Sequence, residues 1–348
     1  MKKLILTSLL IAQAIGMSAQ NYKKVEPYLE SITKYETFAA KAVDDYSVSI
    51  YQDTRKSGVR ETLLSKLKED RHLLTVHMHA VNNDTSYTLG LIDFIDAIIV
   101  YFEAGIGDFN VAEDALTNNY VQLEERFKLY NHHADKIEKK FIDLIKLKES
   151  FSLKHGLVMK IEYGRDVYKN QFFRYCGKFI EIISKVDFAD IKLQQAMATR
   201  NTSEMNLHFE KLQDYLLEGK INMEKLGTFK ENDRMYQQVN NYIDEFLRFQ
   251  FHNKSLINLI NKHNELVDYV AKNGKTDYYL AQANAYNMNR QPILESEKLV
   301  LGDKNNLIVN FTKELNQFQK EHLENLIYNG VKIKNHLFSK ETVSMRKN

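Results

Sequence analysis

Asp93 and Asp96 stand three residues apart in the run from Tyr87 to Gly107, YTLGLIDFIDAIIVYFEAGIG, and a helix through that run aims both carboxylates the same way. Paired carboxylates, joined on the same stripe by Glu103, have the chemistry of a ligand grip, a metal corner or an acid and its base. The plainer structural reading is a solvated stripe. Asp93, Asp96, Val100 and Glu103 fall within about 80° of the helix circumference, where carboxylates ordinarily meet water or a lysine of the next helix. The plainer reading is favoured because a helical two-metal centre needs Glu-x-x-His on two helices, and Glu69-x-x-His72 occurs here once.

His72 is one metal candidate, and His132 with Asp135, three residues apart on one face, is the other. Surface polarity explains these residues equally well. A third group lies in TDYYLAQANAYNMNRQP, where Tyr278, Tyr279 and Tyr286 stand among Asn284, Asn287 and Asn289 with Arg290. Amphipathic rings, amides and one guanidinium suit a glycan or peptide contact. Set against that is an ordinary connection between helices, which collects the same residue types.

The signatures of committed chemistry are missing. The chain has no Gly-x-Ser-x-Gly, no His-Glu-x-x-His and no glycine loop to cradle phosphate, and the lack of Cys-x-x-Cys-His excludes covalent haem. The sequence therefore implies no cofactor and gives no ground for naming an enzyme.

The elements that must position these residues read as helices throughout. Leu91, Ile92, Phe94, Ile95, Ile98, Ile99 and Phe102 cover a broad arc, so the Tyr87–Gly107 run predicts a helix buried on most sides. Two aspartates near its centre, each costing roughly 2.5 kcal/mol or more in a bilayer, argue against a membrane span. A first helix is predicted from Glu26 to Thr54, and a second from Val59 toward Val81, with Asn82-Asn83-Asp84-Thr85 as stop and cap. From Val111 the apolar pattern runs for about forty residues, either as one rod or as two helices broken near Asn131-His132-His133. An aromatic-rich helix follows Gly156, Asn201-Thr202-Ser203-Glu204 caps another, and Asn232-Asp233 opens a long one ending near Gly274. Pro292 closes the least regular segment, and Asp303 opens the last helix. No stretch reads convincingly as a strand. Asn83-Asp84, Tyr87 and Ile95-Asp96 find echoes in Asn232-Asp233, Tyr236 and Ile243-Asp244, which reads either as a duplication or as coincidence in a biased composition.

Only 2 Pro and 13 Gly in 348 residues leave little room for the turns of a sandwich or barrel. With 27% charged and 44% hydrophobic residues the chain has the balance of a folded protein rather than a disordered one. A net charge of +2, with both signs interleaved, gives no basic face for nucleic acid. Lys2 and Lys3 precede LILTSLLIAQAIGM and then Ser18-Ala19-Gln20, the three-part layout of a secretory signal cut after Ala19. The single Cys176, flanked by Phe172, Phe173, Phe179 and Ile180, reads as a small core hydrophobe. This signal, with a Lys- and Asn-rich, Trp-free helical body, resembles the exported all-helical proteins of unknown function common in Bacteroidota. The resemblance implies the periplasm or cell surface of a Gram-negative bacterium, and nothing about activity.

The sequence thus predicts an all-α protein of long antiparallel helices, in one elongated bundle or two packed sub-bundles. Residues 1–19 are the signal, 20–155 and 156–340 the two bundles and 341–348 a frayed tail. The expected role is a non-enzymatic interaction or structural protein with a protein or envelope partner and no membrane span after signal cleavage. The alternative is a small-ligand or metal-binding bundle, and the oligomeric state stays open.

Overall fold

The computed structural model describes residues 25–43, 58–77, 79–105, 111–155, 157–159, 163–229, 232–328 and 343–345. Among them the protein is all-α, with nine helices. These are α1 over 25–43, α2 (Val59–Val76), α3 (Ser86–Glu103), α4 (Val111–Thr117), α5 (Tyr120–Lys154), α6 (Tyr163–Thr199), α7 (Thr202–Leu226), α8 (Arg234–Asn273) and α9 (Asp277–Tyr328). Two three-residue segments, β1 (Leu157–Met159) and β2 (Val343–Met345), pair antiparallel. Among the described residues no helix is long and apolar enough to cross a membrane. The expected signal, positions 44–54 of the first helix, and Gly156 lie outside the described residues.

The described residues fall into two compact units, one within Met1–Phe109, Glu125–Gln171 and Leu323–Asn348, the other within Asn110–Glu124 and Phe172–His322. The first is organised around α3. Leu91, Phe94, Ile95, Ile98 and Phe102 are each at most 2% exposed, and each contributes roughly 1.5–3 kcal/mol by leaving water. α3 runs antiparallel to α5, its rings at Tyr87, Phe94 and Tyr101 meeting Phe151, Phe141 and Tyr130 in that order. The start of α3 is fixed one residue earlier than a simple cap. Asn82 and Asn83 take left-handed φ of 51° and 65° in the turn that bridges Val81 to Asp84. Asp84 Oδ1 then accepts from the Ser86 N–H at 3.1 Å and the Ser86 hydroxyl at 2.7 Å.

The forty-residue pattern after Val111 does break, but at Asn118-Asn119 rather than at the histidines. Asn119 N–H donates to Gln122 Oε1 at 2.7 Å and Gln122 N–H donates to Asn119 Oδ1 at 3.0 Å, a reciprocal cap that starts α5. Asn131, His132 and His133 lie inside that helix.

In the second unit α8 and α9 form an antiparallel hairpin about Gly274, whose φ of 71° is the left-handed value glycine reaches without a Cβ penalty. Its seam is closed by Tyr269 against Tyr278, His263 against Tyr286, His252 Nδ1 against Ser296 Oγ at 3.3 Å, and Tyr242 against Phe311. α9 begins at Asp277 and carries Pro292 in its interior, so the segment that reads as irregular is helical. Proline there removes one backbone N–H and leaves the Met288 carbonyl unmatched. Met288 is 79% exposed, so water can take that carbonyl, and the Ala-, Gln- and Met-bearing sequence around it favours helix.

Gly219 of α7 lies where three helices crowd. A Cβ there would meet Ile182 Cγ2 of α6 at 2.9 Å and Ile243 Cδ1 of α8 at 3.3 Å. Gly219→Ala is expected to lower stability by about 1–2 kcal/mol in urea denaturation, although alanine is the better helix former by about 1 kcal/mol, because a β-branched neighbour cannot swing aside. A stabilised Gly219→Ala protein would show that this contact is loose.

The two units repeat a local plan. Val81–Asp84 and Phe229–Asn232 are matching bridged turns, and Asn232 Oδ1 accepts from the Arg234 N–H at 3.1 Å as Asp84 does from Ser86. Counting 148 residues on from α3, the buried Leu91, Ile95 and Ile98 fall on the buried Val239, Ile243 and Phe246 of α8, and Asp96 on Asp244. Counting 151 on from α1, Glu30, Ile32, Thr33, Lys34 and Glu36 meet Glu181, Ile183, Ser184, Lys185 and Asp187 without a gap.

Candidate functional site

The carboxylates that the sequence nominates are engaged on the surface of the first unit. Lys140 Nζ of α5 donates to Asp93 Oδ2 at 2.6 Å, and Arg71 of α2 donates to both oxygens of Asp96, at 2.7 and 3.3 Å. Lys68 Nζ lies 2.6 Å from Glu103 Oε1. The stripe therefore stitches α3 to its two neighbours through exposed pairs, each worth roughly 0–1 kcal/mol. His72, His132 and Asp135 are all exposed, and the His132 ring packs on His133. Among the described residues no group of three His, Cys, Asp or Glu side chains comes together in a way that could hold a metal ion. Cys176 is fully buried, as its apolar neighbours predict.

Each unit also encloses a charged network that the sequence does not announce. In the first, Lys148 Nζ of α5 donates to Glu36 Oε1 of α1 at 3.0 Å and the Tyr87 hydroxyl donates to Glu36 Oε2, with Glu36 and Lys148 each 1% exposed. Burial, then the charge of Glu36, push the Tyr87 phenol well above its ordinary value. In the second, Tyr242 of α8 donates to Asp187 Oδ1, and Lys304 Nζ of α9 donates to Asp190 Oδ1 at 2.6 Å. Lys304 also sits over the rings of Phe246 and Phe249. Burial, with Asp190 beside it, pushes Asp187 up to about 7, against the Tyr242 hydrogen bond and the Lys304 charge, which pull it down. Glu36, Tyr87, Lys148, Tyr242 and Lys304 are buried and Asp187 and Asp190 part-buried, so these contacts hold helices in register within each unit.

The arrangement open to solvent is a corner of the second unit where three elements meet around His263. α6 ends in a Schellman motif, the Asn201 N–H bonded to the Ala196 carbonyl and the Arg200 N–H to the Met197 carbonyl, each at 3.1 Å. That motif puts Arg200 in the left-handed region at φ 55°, a position glycine usually takes. Asn264 Nδ2 of α8 donates to the Arg200 carbonyl at 3.0 Å, and Thr202 Oγ1 donates to Asn261 Oδ1 at 2.8 Å, locking the junction to α8. Asn201 serves α7 as well, its side chain accepting from the Glu204 N–H at 3.3 Å.

So fixed, Arg200 Nη1 donates to His263 Nε2 at 2.8 Å, which keeps that nitrogen unprotonated. The Tyr286 ring of α9 lies 5.7 Å from the His263 ring, and Arg290 follows one turn along α9. Burial, then the guanidinium groups of Arg200 and Arg290, hold His263 below the ordinary imidazole value. Among the described residues neither arginine has a carboxylate partner; Arg200 has the His263 bond and Arg290 has no hydrogen bond or ion pair. Tyr279, Tyr286 and Arg290 fall within about 40° on α9. Tyr278 stands further toward the hairpin tip, 57% exposed and packed on Tyr269.

Comparison with family profiles, curated proteins and solved structures gives no match.

Sequence reasoning finds Tyr286 and Arg290 and misses Arg200, His263 and Asn264, which lie roughly 25–90 residues away in the chain. One local signal was available: the loop before Asn201 has no glycine at the helix end, so some larger residue had to take the left-handed position.

Proposed function

We propose that this chain is an exported, non-enzymatic interaction protein of a Gram-negative periplasm or cell surface, engaging its partner through the Arg200–His263–Tyr286–Arg290 corner of the second unit. The observation that carries this reading is the contrast in charge use. The surface carboxylates Asp93, Asp96 and Glu103 are spent in ion pairs between helices, while at one corner Arg200 is held against His263 and Arg290 stands one turn beyond Tyr286, neither with a carboxylate to neutralise it. Charged side chains kept unpaired suit recognition, where a partner supplies the opposite charge. The left-handed Arg200 supports the same reading, since a residue other than glycine accepts that backbone at a cost of about 1 kcal/mol. The predicted signal and the resemblance to exported all-helical proteins support export.

A photo-crosslinking residue placed at Tyr286 in living cells tests this. The reading expects an adduct from that position, lost when Arg290→Gln is added, and none from Val309, which is on the same helix and 64% exposed. Equal labelling from both positions, or none at Tyr286, would refute the corner as the contact surface.

A further inference from the structure

Resting on that reading of the corner, we infer that it recognises an acidic sugar chain, with a sugar carboxylate between Arg200 and Arg290 and neighbouring sugars along Tyr286 and Tyr279. Arg200 comes from the α6–α7 junction, 2.8 Å from His263 Nε2, and Arg290 stands on α9 one turn beyond Tyr286, whose ring lies 5.7 Å from that histidine, so two different elements bring guanidinium groups, the side chains of bidentate carboxylate recognition, to the neighbourhood of one imidazole. His263 adds a neutral ring rather than a third charge, because its Nε2 already accepts from Arg200. Along α9 the rise of 1.5 Å per residue sets Arg290 about 6 Å beyond Tyr286 and Tyr279 about 10 Å before it, all near one line. That span of roughly 16 Å holds three to four pyranose rings, and half-buried tyrosines are the surfaces on which sugar faces pack. The exposed amides of Asn287 and Asn289 flank that line about 60° to either side, with donors and acceptors for hydroxyl groups.

An acidic peptide shares the charge and lacks the rest of the fit. A peptide laid as a strand needs an open sheet edge, one laid as a helix needs an apolar groove, and one held by arginines is read through its charges, which leaves the line of tyrosines unused. The corner is made of helix surface carrying Asn287, Asn289 and Arg290, all exposed and polar.

The test is isothermal titration of the full mature chain with tetragalacturonate, with its fully methyl-esterified form, which keeps the sugar shape and loses the charge, and with tetraglutamate. Tetragalacturonate is expected to bind at least tenfold more tightly than the ester and than tetraglutamate, with Arg290→Gln weakening it at least tenfold. Arg200→Gly serves as the folding control. Glycine relieves the left-handed backbone, so this variant should unfold no earlier than wild type and still lose at least tenfold in affinity. No binding of tetragalacturonate, binding that the ester matches, or binding unchanged in both arginine variants would overturn the inference. Tighter binding of tetraglutamate would replace the sugar by an acidic peptide. A crosslink at Tyr286 without any of these affinities would leave the interaction role standing and remove only the ligand class.

Discussion

Lys148→Met is expected to destabilise the first unit by about 3–5 kcal/mol, because it strands the Glu36 carboxylate in an interior from which water is excluded. The cost belongs to the broken pair rather than to the charge of lysine. Replacing these three side chains together, by Glu36→Leu, Tyr87→Phe and Lys148→Met, should return most of that stability, since apolar side chains of similar volume need no partner. Lys140→Met breaks the exposed pair with Asp93 and should cost less than about 1 kcal/mol. Urea denaturation followed by circular dichroism separates these outcomes. A Lys148→Met protein no weaker than Lys140→Met would mean that Glu36 reaches water.

The second large effect concerns Asp187 and pH. Its carboxyl is raised from the ordinary 3.8 to about 7 in the folded protein. Between those values the folded state keeps a proton that the unfolded chain has released, so stability falls as pH rises. The contribution is fully present below about pH 4 and lost by about pH 7. At about 1.4 kcal/mol per pH unit the span amounts to about 4 kcal/mol. Asp187→Asn preserves an oxygen to accept from Tyr242 and removes the titration, so the variant should be more stable than wild type at pH 8 and similar to it at pH 4. Denaturation midpoints across pH 4–8 check this. Parallel curves for wild type and Asp187→Asn would show that the carboxyl titrates normally, with Lys304 outweighing burial.

What the sequence made legible follows from local physics. The periodicity of α3 names both its buried arc and its charged stripe, and the side chains at Asp84, Asn201 and Asn232 mark helix starts because capping depends on residues only two or three apart. The missed features depend on something else. The break at Asn118-Asn119 carries an Asn-x-x-Gln cap that was there to be read, whereas Asn131-His132-His133 only looked polar enough to interrupt a helix. Pro292 is tolerated inside α9 where Met288, whose carbonyl loses its partner, is an exposed residue, and that depends on exposure and not on residue type. Lys148 and Lys304 look like any surface lysine until Glu36 and Asp190 meet them from helices more than 100 residues away. The corner divides the same way. Tyr286 and Arg290 stand out by type, while the residues that give them a function in this account, Arg200 and His263, arrive only through the hairpin of α8 and α9 and the turn after α6.

The most direct test of the proposed interaction role is native mass spectrometry of the wild-type protein, purified gently from the cells that make it, beside an Arg200→Gly, Arg290→Gln double variant prepared identically. The account predicts an added mass on the wild type, lost under denaturing conditions and absent from the double variant. A bare wild-type chain, or the same complex from both proteins, would contradict it.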